Sequence, residues 1–218
     1  MSPPLGTMQE ESKEKGATWR AISNQTIFSR VNISSWFGSE EEPYNVEQWA
    51  SHTSNRNRTY QHLYGNQIDN TIMLAGGSYA NWGLDLLWNQ TTGEGVIGAD
   101  LAVTAVSSSG FSGNIATTDV QAQKLVPVNS ELMWNESYFR SYLTLYLNAK
   151  EALAEYYGAP TVRTRNSYDI PLANFTVKMR ANHLEGSIAG GSVTSGISRA
   201  RINRARLLMS TVHSRSTP

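Results

Sequence analysis

The sequence predicts an α/β (α+β) fold, a sheet covered by helices in one domain, and three observations predict it. A segment with Trp49, Thr53, Tyr60, Leu63 and Tyr64 at partly helical spacing, residues 46–64, is followed six residues later by the strand-like run Thr71-Ile72-Met73-Leu74. A run rich in β-branched residues, 96–106, ends at Ser107-Ser108-Ser109-Gly110. The chain has 218 residues, 39% of them hydrophobic, with six Trp and ten Tyr, which is enough for one sizeable core and little more.

Taken in order, residues 1–16 read as a ragged N-terminus leading into a short helix that Gly16 ends. Residues 19–34 alternate as a strand and its continuation, broken at Asn24-Gln25, and a polar, acidic loop follows at 38–43. Gly65 is the stop for the helix at 46–64. The strand at 71–74 opens into Ala75-Gly76-Gly77-Ser78, read as a plain strand-to-helix turn, and an amphipathic segment with Trp82 and Trp88 comes next. Residues 143–147 and 153–157 pair as a hairpin, although "NAKEALAEYY" is helical on propensity. Residues 174–177 form a last short strand, and 186–196 are flexible by composition. The main domain therefore spans 17–197, and 198–218, with five arginines and no acid, is a basic, weakly ordered tail.

Composition excludes several functions. Lys plus Arg and Asp plus Glu both total 18, so no global charge favours nucleic acid or anionic lipid. Without cysteine there is no disulfide, zinc-thiolate or thiol chemistry. No apolar run is long enough for a membrane span or a signal peptide. Six N-x-[ST] sequons, at Asn24, Asn32, Asn57, Asn89, Asn135 and Asn174, are candidate glycosylation sites and suggest secretory ancestry.

Local catalytic motifs are sparse. His52, His62, His183 and His213 show no metal-binding spacing. Ser107-Ser108-Ser109-Gly110 lacks the flanking pattern of a nucleophile elbow. Gly76-Gly77-Ser78 could offer backbone N–H groups to a phosphate, but no Walker lysine accompanies it. Arg56 and Arg58 are candidate anion-binding residues, as are Arg163 and Arg165; on a helix, at most one of Arg56 and Arg58 can point inward.

Read together and in order, "GATWRAISNQTIFS", "SNRNR", "NTIMLAG-S-ANW", "TAVSSSGF", "TRNSY-IPLANFTV" and "ANHL" resemble the C-terminal part of fungal PhoD-like alkaline phosphatases, of the metallophosphatase (calcineurin-like phosphoesterase) superfamily. The resemblance runs from about residue 13 to residue 196. It implies a β-sandwich flanked by helices, here incomplete. It also implies divalent or mixed metal ions at strand-end loops and a metal-bound hydroxide that attacks a phosphate ester.

In similar proteins the strand at 71–74 ends in G-D-x-H-x-x-W, whose Asp and His serve the metal site. Here Gly76 and Trp82 persist, while Gly77 stands at the Asp position and Tyr79 at the His position. Ala50, Ser51 and His52 replace an Asp-Gly-Tyr before the N-R-x-R. Glycine has no ligand atom, and a tyrosine hydroxyl stays protonated at neutral pH. The family's other ligands are expected upstream of the matched segment. The expectation is therefore a truncated, degenerate phosphatase that takes no metal cofactor and turns over a phosphate ester only if a complete site exists. The alternative is a non-catalytic binding module. Apolar side chains such as Ile72, Leu74, Val103 and Val106 are expected to stand uncovered and to favour self-association.

Overall fold

The computed structural model describes residues 5–34, 49–107, 110, 113–184, 193–200 and 202–203. Helix α1 covers Leu5–Glu14, and strand β1 covers Arg20–Asn24. A 3-10 turn at Trp49–Ser51 precedes helix α2, Thr53–Gly65. Strands β2 (Thr71–Ala75), β3 (Asn81–Asn89) and β4 (Glu94–Ala102) follow, then helix α3 (Ile115–Val128). The rest is β-structure: β5 (Leu132–Glu136), β6 (Ser141–Leu147), β7 (Glu151–Gly158), β8 (Ile170–Lys178) and the short β9 (Ile197–Ser198).

These strands form two sheets, one of six in the order β1-β2-β4-β3-β5-β9 and one of three in the order β6-β7-β8. β1, β2 and β4 are parallel, whereas β3 runs antiparallel to β4 and β5. The period of two sends alternate side chains of β2 to opposite faces. Ile72 joins Ala99, Leu101 and Trp134 against Ala154, Tyr156, Leu172 and Phe175 of the second sheet. Met73 packs with Leu86 and Ile97 against Tyr60 and Leu63 of α2. Helix α3 lays Ala122, Leu125 and Val126 beside Trp82, Leu84, Ala102 and Leu132. Helices therefore cover one face of the large sheet and the small sheet covers the other. The Tyr156 hydroxyl crosses this second interface, donating to the Trp82 carbonyl at 2.8 Å.

Several expectations need correction. Residues 25–34 are not a strand, because their N–H groups leave the ladder: Ile27 donates to Ser78 Oγ, and Phe28 and Ser29 donate to Asp100. Gly76-Gly77-Ser78 leads into β3, not into a helix, and seven successive β3 residues are buried. Helix α3 and strand β5 have no counterpart in the sequence reading. Ile72 is fully buried, while Leu74 and Val103 pack against the same core; among the four residues expected to be uncovered, Val106 alone stands out, at 92% exposed.

The Gly16 stop holds, with φ at +75° beyond α1, and the hairpin is present in full register. The acidic loop at 38–43 lies outside the described residues, as do 185–192 and most of the basic tail. Ser198 pairs with Trp134, and the Arg199 guanidinium donates to the Leu132 and Val126 carbonyls at 3.1 and 2.6 Å.

Candidate functional site

Because β1, β2 and β4 run parallel, the segments that leave their C-terminal ends gather at one end of the sheet, where α/β proteins bind ligands. These segments begin at Gln25, Gly76 and Val103, and the β2 exit holds the sequence-predicted positions 77 and 79. Ser78 organises it. Its Oγ accepts from the Ile27 N–H at 3.0 Å, and its carbonyl accepts from the Ala80 N–H at 2.7 Å and Trp82 Nε1 at 3.3 Å. Trp82 is thereby held at 2% exposure, which gives the tryptophan a structural task independent of chemistry.

Gly77 donates its N–H to the Gln25 carbonyl at 2.8 Å. A Cβ at residue 77 would meet that same oxygen at 2.8 Å, closer than real Cβ contacts come. The backbone leaving β1 thus fills the direction in which a side chain would grow. Asp100 holds this backbone in place: its Oδ2 accepts from the Phe28 and Ser29 N–H groups at 2.7 and 2.8 Å. Burial pushes the Asp100 carboxyl up to about 6, against the pull of those two donors. Tyr79 sits in the left-handed region at φ +60° and is 41% exposed.

Beside the loop lies a buried polar network. Asn81 donates to Glu136 Oε2 at 2.7 Å and accepts from the Ser141 hydroxyl. Glu136 also accepts from the Tyr138 and Phe139 N–H groups, and Ser141 N–H donates to Thr104 Oγ1 at 3.0 Å. Burial raises the Glu136 carboxyl above its ordinary range. With its oxygens committed to these donors, Glu136 ties the end of β5 to the start of β3, and Asn81 and Ser141 extend the network to Thr104 beyond β4. Sequence reasoning missed Asp100 and Glu136, although the signal was legible: each is an acid beside apolar strand residues, and a buried acid is held against donors.

The remaining candidates do not converge. Arg56 is buried with its guanidinium carbon 5.7 Å from the Tyr60 ring centroid, whereas Arg58 is exposed and donates to Asn55 Oδ1. The pair thus faces in two directions, as the helical spacing requires. His62 meets the Gly6 carbonyl at 3.1 Å, and His183 turns toward the Leu184 carbonyl. Among the described residues, no three His, Asp or Glu side chains form a group able to hold a metal ion. The donor chemistry around positions 77 and 79 does not fit the metals that the resemblance implies. Of the six sequon asparagines, Asn57 is exposed on α2, while Asn135 is fully buried and donates to the Asn81 carbonyl, which leaves no room for a glycan in the folded chain.

Residues 5–156 match the sequence profile of the PhoD-like phosphatases. The chain belongs to that family. Among solved structures, a PhoD-like relationship is also visible with "Structure of PhoD", at a TM-score of 0.68 and 17% identity. That match covers 88% of this chain and 34% of the other, so this chain spans about a third of the solved protein, and at such identity the likeness concerns the fold. No curated protein matches. The PhoD-like profile takes in β1 to β6 and most of β7, and hence the whole loop at 76–82.

Proposed function

We propose that this chain is a degenerate PhoD-like phosphatase, a C-terminal part of a fungal-type protein, in which the scaffold persists and metal-dependent hydrolysis of phosphate esters is lost. One observation carries the reading: at the β2 exit, Gly77 supplies no ligand atom and the Gln25 carbonyl stands where a carboxylate-bearing side chain would extend. Generating a metal-bound hydroxide needs several such ligands on one ion. Turnover of a generic aryl phosphate, with and without added iron, calcium or zinc, tests it. Rates stay at background in this reading; robust turnover abolished by a chelator contradicts it.

A second reading, a non-catalytic binding module on the retained scaffold, draws support from the closure of the core over Ile72, Leu74 and Val103.

A further inference from the structure

A groove of about 640 Å³ lies between the start of β6 and residues 159–169; its lining includes no residue of the loop at 76–82, although Ser141 at its edge hydrogen-bonds Asn81. Its size falls within the roughly 300–1,000 Å³ typical of small-molecule sites. Both walls are fixed by hydrogen bonds. The Ala159 N–H donates to the Arg140 carbonyl at 2.7 Å, closing the base of the loop. Asn166 Nδ2 donates to the Thr161 and Thr164 carbonyls at 3.0 Å each, which ties the loop to itself. At the far end, the Tyr142 hydroxyl donates to Asp169 Oδ2 at 2.5 Å, and the Tyr142 ring stacks on Tyr157 with centroids 5.4 Å apart. Such a loop presents a preformed wall, which lowers the ordering cost of binding.

The lining has a definite chemistry. Arg140 and Arg165 contribute two positive charges, and Asp169 is the one acid among the lining residues, with an oxygen already taken by Tyr142. The Arg140 guanidinium lies against the backbone of Gly110, where a Cβ would come within 2.8 Å of Nη1. Tyr168 and Val162, which line the same groove, are 78% and 71% exposed, so apolar surface is open to solvent along it. Guanidinium forks recognise carboxylate and phosphate oxygens, and a tyrosine ring with neighbouring valine offers a flat apolar bed.

We propose that this groove binds a small organic anion, a phosphate or carboxylate carried on a flat apolar body, with Arg165 and Arg140 on the anion and Tyr168 and Val162 under the body. The site needs no metal and shares no residue with the loop at 76–82, so it stands whether or not that loop is catalytically dead.

Isothermal titration of the full chain with 2-naphthyl phosphate and with 2-naphthoate, in the presence of a chelator, tests the proposal. Saturable one-to-one binding with a sub-millimolar Kd is expected for at least one of them, and neutral 2-naphthol should bind at least about tenfold more weakly, the loss of one charged contact. Arg165→Glu and Tyr168→Ala alter exposed loop side chains, so their circular dichroism should match the parent; each should weaken binding, Arg165→Glu by about tenfold or more. Lys124→Glu, on the exposed face of α3, controls for general charge and should leave binding unchanged. Absence of saturable heat with both probes, equal affinity for 2-naphthol, or unchanged binding in both loop variants would overturn the assignment.

Discussion

Gly77 and Tyr79 differ in what a substitution at each must displace. A side chain at residue 77 collides with the Gln25 carbonyl, in a segment that Asp100 anchors a few residues further on through the Phe28 and Ser29 N–H groups, so the backbone cannot give way cheaply. Gly77→Asp should therefore destabilise the fold by about 1–3 kcal/mol, the range for overpacking, as read by urea denaturation. Tyr79 is exposed and already in the left-handed region, which histidine also tolerates. Tyr79→His should leave stability within about 0.5 kcal/mol, and the double variant should gain no phosphatase turnover. The buried acids give a second outcome at this scale. Burial raises Asp100 to about 6 and Asp85 to about 7, the latter against the Leu184 N–H and the charges of His183 and Arg199. Unfolded aspartate titrates near 4. Between about pH 4 and pH 7 the folded chain thus holds more protons than the unfolded one, so stability falls as pH rises through that window. A difference of a few kcal/mol is expected, and Asp85→Asn with Asp100→Asn should flatten the profile measured by denaturation at pH 5 and pH 8. A parent chain whose stability rises with pH over that span would contradict this.

Helix α3 starts at a cap that the sequence displays and the sequence reading passed over. Asn114 Oδ1 accepts from the Thr117 N–H at 2.9 Å, so Asn114→Ala should cost about 1 kcal/mol in a thermal or urea melt. The β-branched residues and Pro127 in this helix weaken its local signal, and Leu125 and Val126 are held by the sheet they cover. Strand β7 shows the opposite case. Its composition is helical, yet Ala152, Ala154 and Tyr156 face the core on alternate positions and their pairing with β6 decides the outcome. The alternation was legible, whereas the path of residues 25–34 was not, because it depends on Asp100 and Ser78, more than 50 positions away. The glycine at 77 and the tyrosine at 79 were legible in the sequence; the carbonyl that fills the space at Gly77 was visible only in three dimensions.

The three clusters of the core all draw residues from the large sheet, so loss of either covering layer exposes strands shared with the other. Tyr156 adds a bond between the sheets, and Tyr156→Phe, which removes it, should cost about 0.5–1.5 kcal/mol. Unfolding followed by tryptophan fluorescence and by far-ultraviolet circular dichroism should then give one coincident transition; two separated midpoints would show that the small sheet opens independently. The proposed loss of metal-dependent hydrolysis rests on the β2 exit, where glycine and tyrosine stand at the positions that the resemblance assigns to metal ligands. Elemental analysis of the purified chain after dialysis against a metal-containing buffer tests that most directly. Iron, zinc and calcium should remain far below one equivalent per chain, and a stoichiometric metal ion that survives dialysis would contradict the account.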